Sequence, residues 1–591
     1  METPKKVKIF IEDRNYSKWS FQDVDNNNEV CMDKYPVLKT ISPLERKYLN
    51  KDVFMVSNNK IECVYSSVRV NDRMAGVLIL EKNKTYGRTL NNKRLLYKCI
   101  PDDPHIPIFL IPYDVKIQFS KVYKNKYVVF KYDNWQDKHP QGILIESIGD
   151  VDNLEAFYEY QLYCKSLHIS ISDISDKTRI LLNKNIQDQY IEAILRNPDY
   201  HIEDYRDKYV FTIDPNNSID YDDGFSVTTM GNNTKVIIYI ANVFFWLETL
   251  GLWNSFSKRV ATIYLPDRRR PMLPTILSDT LCSLLEKQQR FAFAMEIMID
   301  NNTGNIIGDP VYKNVVISVT KNYSYEDINL VYNDINYTHL FDITYKMNKY
   351  IKTSHDVVSF WMVKMNQIIG SYMATNKIGI FRATVNNSDD ENSGRNNDYE
   401  MLKHFNDDTR RAIQNWNNTA GKYVLFDDDV DLNHFMMNSK YIHITSPIRR
   451  LVDLLNQMIL SNYTGITTKM SNDSMLFLDE WKQQMEYINT SMRSIRKIQT
   501  DCFLLNKCFN NPMILDDTYS GVLFDKIIKN DGTFHYMVYL EELKLLSRII
   551  THIDLNNYSI SRFKLFLFEN EDKTKKKIRL QIIINPNILQ P

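Results

Sequence analysis

Phe211–Gly224, FTIDPNNSIDYDDG, places Asp214, Asp220, Asp222 and Asp223 in one short segment with no Lys or Arg among them. Like charges this close must be separated, solvated or supplied with a cation. The preceding residues, Lys208 to Ile213, are aromatic and β-branched and predict a strand, whereas Pro215-Asn216-Asn217-Ser218 predicts a turn. The chain should therefore double back after Asp214 and bring the other three aspartates near the strand end, with Gly224 allowing close backbone approach before the next strand.

Three readings of the carboxylates follow. They could form a solvated acidic loop. A calcium loop is set aside, because no register puts Gly at position six and Glu at position twelve behind correctly spaced Asp or Asn. The third reading is a magnesium-type site, in which hard cations take carboxylate oxygens and act on a phosphodiester.

Working outward, TIDPNNSIDYDDGFSV resembles the acidic signature of the ribonuclease II/R family, exoribonucleases with an RNB catalytic domain, at all four aspartates. The resemblance implies that Asp214, Asp220, Asp222 and Asp223 bind magnesium, with manganese as an alternative, and position the attacking water. Two further stretches carry the same likeness. KRVATIYLPDRRRPMLPTILSDTLCSLL matches a Tyr-Leu-Pro, Pro-Met-Leu-Pro and Cys-Ser-Leu pattern, which implies that Tyr264 packs against a base near the RNA 3′ end. Arg268, Arg269 and Arg270 beside it read either as a solvated turn or as a lining of the RNA path. HFMMNSKYIHITSPIRRLVDLLNQMIL resembles the family's Thr-Ser-Pro-Ile-Arg-Arg helix, which implies that Arg449 contacts the scissile phosphate region.

On local signals alone, Ser446 caps that helix, Pro447 opens it, and Arg449 lies in the first turn, where it either meets an anion or pairs with Asp453. IGIFRATVNN resembles a Leu-Tyr-Arg-x-His segment, so Arg382 and Arg450 join Tyr264 as expected RNA contacts. The pattern is not intact. Asn242 stands where the family has Asp, Thr384 where it has His, Leu451 where it has Tyr and Gln457 where it has His.

The rest of the chain bounds the setting. With 591 residues, 25% charged and 43% apolar, it is a globular, multidomain composition. Formal net charge is zero, so nucleic acid would be held by a local basic channel and not by the whole surface. The seven scattered cysteines predict reduced core thiols. There is no run of eighteen apolar residues, and METPKKVK lacks a secretory core, which leaves the cytosol or the nucleus as the expected location and no membrane partner.

The expected fold is α+β and multidomain. A cold-shock-like OB β-barrel is read over 1–100, from short β runs such as VKIFIE, DVFMV, KIECVY and AGVLIL, and a second over 101–165, where YVVFKYDNWQDKHPQGILIES resembles the second cold-shock-type domain of eukaryotic relatives. A helical linker follows over 166–206, then the α/β RNB catalytic domain over 207–506 and a C-terminal OB-like RNA-binding β-barrel over 507–591. Lys573, Lys575, Lys576, Lys577 and Arg579 cluster in this last domain, either as a solvated face or as phosphate contacts.

The function implied is a monomeric, metal-dependent 3′→5′ exoribonuclease that converts single-stranded RNA to nucleoside 5′-monophosphates. Two alternatives stand beside it: an RNA-binding protein with a catalytically decayed RNB domain, and a phosphodiesterase acting on another nucleic acid.

Overall fold

The computed structural model describes residues 5–57, 60–89, 93–115, 122–184, 187–383, 402, 404–418, 421–434, 439–529, 531–571 and 574–583. Thr384, the polar stretch 386–398 and Lys573 lie outside them. Two compact units form: one from residues 1–168, 265–267 and 497–591, the other from 169–264 and 268–496.

In the first unit, Lys5–Ile11, Trp19–Asp23, Val53–Ser57 and Lys60–Tyr65 make an antiparallel sheet. Alternation buries Val7, Ile9, Ile11, Phe54 and Val56 on one face, as period-two patterning requires. Spatially the sheet runs second strand, first, third, fourth, which is the order of an OB barrel without its third strand. Pairing does not close it into the barrel expected for 1–100, because residues 24–52 supply short 3₁₀ turns at Met32–Lys34 and Pro36–Thr40 where a strand would be needed.

The next strands, Met74–Leu78, Leu96–Pro101, Phe109–Pro112, Lys126–Asn134 and Gln141–Asp150, do close into a barrel. The third strand pairs in parallel with the fifth at Leu110 and Gln141, the Greek-key arrangement of an OB fold. Met74–Leu78 pairs with both the second and the fourth strand, so the boundary expected at residue 100 falls inside this barrel. The C-terminal strands between Thr518 and Ile583 form a five-stranded sheet in the order third, second, first, fourth, fifth. That is the cyclic order of the same barrel, opened between its third and fifth strands.

The second unit is organised on another closed barrel, formed by Ile202–Asp214, Asp223–Met230, Asn233–Ala241, Gln289–Asp300 and Ile306–Ser324. Neighbours are antiparallel except the first and last strands, which close it in parallel. Asn233–Ala241 and Gln289–Asp300 are buried along almost their whole length, because helices cover the outside while side chains fill the inside.

The main covering helix is Ser354–Thr375, begun by a capping box between Thr353 and Asp356. It buries Val357, Val358, Trp361, Met365, Ile369 and Met373 along one face. Gly370 lets this helix touch a neighbouring backbone, since a Cβ there would lie 2.7 Å from the Lys440 carbonyl.

Four cysteines, Cys99, Cys282, Cys502 and Cys508, are buried, while Cys31 and Cys63 are exposed, so the expectation of core thiols holds for only part of the set. Among the described residues no helix is long and apolar enough to cross a membrane.

Candidate active site

The acidic loop closes as its turn residues dictate. Asp214 ends a strand, Ser218 N–H donates to the Pro215 carbonyl at 3.1 Å, and Asn217 takes the left-handed conformation, φ 67°, that the third turn position demands. Asp223 starts the next strand, and Gly224 passes so close to the first that a Cβ would sit 3.2 Å from the Phe211 carbonyl.

The Cys-Ser-Leu stretch then pins the loop from outside. Ser283 Oγ accepts from Tyr221 N–H at 3.0 Å and donates to the Ile219 carbonyl at 2.9 Å, while Leu284 N–H donates to the Tyr221 carbonyl at 3.0 Å. The residues that made that stretch distinctive in sequence are thus the clamp on the aspartates.

All four aspartates line one cavity of about 730 Å³, together with Tyr264, Arg269, Tyr325, His355, His443 and Arg449. They fall into two pairs. Asp222 is 2% exposed and fully engaged: Oδ1 accepts from Ile448 N–H at 3.0 Å and Oδ2 from Arg449 Nε at 2.9 Å. Asp220 accepts from the Tyr264 hydroxyl at 3.0 Å and lies 3.3 Å from Arg269. Asp214 and Asp223, by contrast, each keep a buried Oδ2 that accepts no hydrogen bond.

Burial, and for Asp214 the charge of Asp223, raises both of these carboxyls far above the ordinary aspartate value, with Arg449 pulling the other way. Burial also pushes Asp222 up to about 7, against the pull of Arg449 and the Ile448 N–H. Two buried acceptors without donors, on like-charged groups, are the chemistry a divalent cation satisfies. Among the described residues, however, no three acidic, His or Cys side chains are gathered into a ready-made metal cage.

Arg449 is held by backbone pairing and not by a helix. Thr262 N–H donates to the Arg449 carbonyl at 3.0 Å, Leu451 N–H donates to the Val260 carbonyl at 2.9 Å, and Ala261 bridges Arg450. This corrects the expected helix start. The helix runs Leu451–Tyr463 with extended Arg450 as its N-cap, and Ser446-Pro447 leads a turn that precedes it. The physical reason is tertiary, because Asp453 takes the Ser446 N–H at 2.8 Å and the 260–262 segment draws Arg450 into extended pairing. The alternative pairing with Asp453 belongs to Arg450, at 2.8 Å, and Arg450 also lines the cavity.

Tyr264 points its hydroxyl at Asp220 from a two-stranded turn, Ile263–Tyr264 against Arg269–Arg270. Burial, with Asp220 and Asp222, raises its phenol and keeps it neutral. Arg269 bridges Asp220 and Asp279, whereas Arg270 is buried. Arg382 does not join the acidic cavity. It is 3% exposed, and its guanidinium lies 4.5 Å from the centre of the Tyr423 ring, a position set by burial on that ring.

Of the departures from the family pattern, Asn242 takes Phe245 N–H at 3.3 Å, Leu451 is fully buried, and Gln457 donates to the Ala241 carbonyl at 3.2 Å while its Oε1 stays unpartnered. Tyr325, His355 and His443 were missed in sequence. Each is an isolated residue of its stretch with no local signal, brought to the cavity by tertiary packing.

Against known families, the RNB domain signature matches residues 202–340 and 338–465, which contain the whole barrel and all four aspartates. Residues 202–465 thus match an RNB domain. A Dis3-like cold-shock domain 2 signature matches residues 96–160, within the closed N-terminal barrel.

This RNB-domain chain is 28% identical over 243 residues to the Schizosaccharomyces pombe protein DIS3-like exonuclease 2, covering 37% of the chain and 25% of that protein. It is 29% identical over 236 residues to Ribonuclease R of Thermotoga maritima, covering 39% and 32%. The aligned segments therefore span about a quarter to a third of these relatives' length. In fold it resembles Mycoplasma genitalium RNase R, solved with ribose-methylated single-stranded RNA, with TM-score 0.63 and 17% identity over 98% of the chain and all of that one. It also resembles yeast Ssd1, described as a pseudonuclease, with TM-score 0.58 and 14% identity over 92% of the chain and 78% of that one.

Proposed function

We propose that this RNB-domain protein is a 3′→5′ exoribonuclease that hydrolyses single-stranded RNA to nucleoside 5′-monophosphates with a divalent cation, magnesium or manganese. The observation that carries the reading is the pair of buried carboxylate oxygens without donors, on Asp214 and Asp223, in the same cavity as Arg449. The donor set is all oxygen, which suits a hard cation.

Asp214 and Asp223 would hold the cation, with Asp220 and Asp222 beside them as further oxygen donors. Once bound, the cation would supply a nucleophilic water and neutralise charge on the phosphate. Arg449, fixed by Asp222 and by backbone pairing, presents its half-exposed guanidinium as the permanent cation of the site. Tyr264 forms a wall of the cavity against which the terminal base would stack. Direction, product, a monomeric state and a place in the cytosol or nucleus are part of the proposal by family likeness.

Incubation of the protein with 3′-labelled and 5′-labelled single-stranded RNA, with magnesium or with EDTA, tests it. Early release of the 3′ label as mononucleotide, only with metal, is expected. RNA binding without release of either label would favour a decayed, binding-only domain, and equal cleavage of DNA would favour the broader phosphodiesterase.

A further inference from the structure

Asp220 is the acid of the RNB cavity whose two side-chain partners come from one pair of short strands. Ile263–Tyr264 and Arg269–Arg270 pair antiparallel with Tyr264 directly opposite Arg269, and residues so paired share a face. The Tyr264 hydroxyl donates to Asp220 Oδ2 at 3.0 Å, and Arg269 Nη1 stands 3.3 Å from the same oxygen. The other arm of the guanidinium is anchored on Asp279, which does not line the cavity. This contact is shielded from bulk water, since 18% of the Arg269 side chain and 12% of the Asp220 side chain are exposed.

These pairings divide the charge of the cavity. Asp222 is matched by Arg449 at 2.9 Å and Asp220 by Arg269, while Arg450, the remaining arginine of the lining, is taken up by Asp453 at 2.8 Å. Asp214 and Asp223 are left, each with a buried oxygen that accepts no hydrogen bond. Two carboxylates without a fixed counter-charge match one divalent ion. A second ion on Asp220 would stand beside the Arg269 guanidinium, and like charges that close repel strongly where water is scarce. Arg269 Nη1 is buried and makes no hydrogen bond, so its hold on Asp220 is Coulombic and charge is what it supplies there.

We propose that Arg269 is a built-in cation at the Asp220 end of the acidic cavity and restricts that cavity to a single divalent ion, held by Asp214 and Asp223. Arg269 is a positioning residue in this account: it acts through Asp220 and sets how many ions the four aspartates accept. Removing its charge frees Asp220 to take a second ion. The count rests on the reading of the cavity as a cation site and adds the residue that fixes it.

Manganese titration of the full-length protein, followed by electron paramagnetic resonance, tests it without substrate. The parent protein should bind a single tight ion per chain, with the spectrum of an isolated spin. Arg269→Gln should take up a second ion whose spin broadens the first, and adding Asp220→Asn should abolish that second ion. Arg269→Lys, which restores the charge, should return the count to one. The double variant Arg269→Gln/Asp279→Asn leaves no unpaired acid outside the cavity and repeats the comparison should Arg269→Gln alone fail to fold, with melting curves reporting the fold of each variant. Two tight ions in the parent protein, one ion in every folded variant, or a second ion as readily in Arg269→Lys as in Arg269→Gln would overturn the proposal while leaving the cation site standing. No manganese bound by the parent protein would remove the cation site itself, and the proposal with it.

Discussion

Four aspartates line the RNB cavity, and six cations, Lys165, Lys497, Lys575, Lys576, Lys577 and Arg579, line a separate cavity of about 310 Å³, yet the two sets are held in different ways. The aspartates sit on a strand end, a clamped loop and a strand start, and two of them are fastened by Arg449, Ile448, Tyr264 and Arg269. Lys165, Lys497, Lys575 and Lys577 stand on exposed positions and make no ion pair among the described residues. Chemistry needs reacting groups preorganised, because freezing them during the reaction would add to the barrier. The two cavities thus differ in how rigidly their charged groups are fixed.

The strongest way to break that comparison is to neutralise an unpartnered acid. Asp223→Asn should lower metal-dependent RNA cleavage on the order of 10³-fold or more, while leaving thermal stability equal or higher because charge repulsion with Asp214 is gone. A gel assay and a melting curve on the same preparation check both halves. Arg449→Ala should cost about 10²–10³-fold in cleavage as a lost fixed cation. It should also destabilise the fold by about 2–4 kcal/mol in urea unfolding, since Asp222 is left buried without its partner.

The acidic cavity also makes a pH prediction. Asp214, Asp222 and Asp223 have folded values above the unfolded one, so their contribution to stability is fully present at low pH. It is lost as pH rises through the folded values, near 7 for Asp222. In EDTA, the stability difference between the parent protein and Asp223→Asn should therefore widen in the variant's favour from pH 5 to pH 8, by a few kcal/mol at most. Urea midpoints across that range measure it, and a flat difference would mean that the carboxyls do not repel. Smaller still is the effect expected at Tyr264. Tyr264→Ala should leave long RNA degraded normally and change the length of the final oligonucleotide, since one stacked base is worth about 1–3 kcal/mol. Tyr264→Phe, which removes the bond to Asp220 and keeps the ring, should leave the ladder unchanged.

How far the sequence could be read follows the same division. The acidic loop was legible because its information is local: a β-rich run, a Pro-Asn-Asn-Ser turn and a glycine all agree within fourteen residues. The split into paired and unpartnered aspartates was not, because Tyr264, Arg269 and Arg449 reach the loop from distant parts of the chain. Ser446-Pro447 reads as a helix start by every local rule, but Asp453 and the 260–262 segment take its hydrogen bonds and the helix begins at Leu451. Arg382 stood out in sequence through its motif as an expected RNA contact, whereas its burial on Tyr423, outside the acidic cavity, is set by packing from distant residues. At the N-terminus the strands were visible as runs, yet which barrel each joins depends on pairing, so Met74–Leu78 fell on the wrong side of the expected boundary.

The central claim is that Asp214 and Asp223, and not all four acids equally, form the cation site. Manganese affinity measured by electron paramagnetic resonance on the parent protein, Asp223→Asn and Asp220→Asn tests it without any substrate. Asp223→Asn should weaken binding by roughly 30-fold or more, about 2 kcal/mol, and Asp220→Asn by less than about fivefold, below about 1 kcal/mol. Equal losses in the two variants, or manganese binding untouched by either, would contradict the assignment.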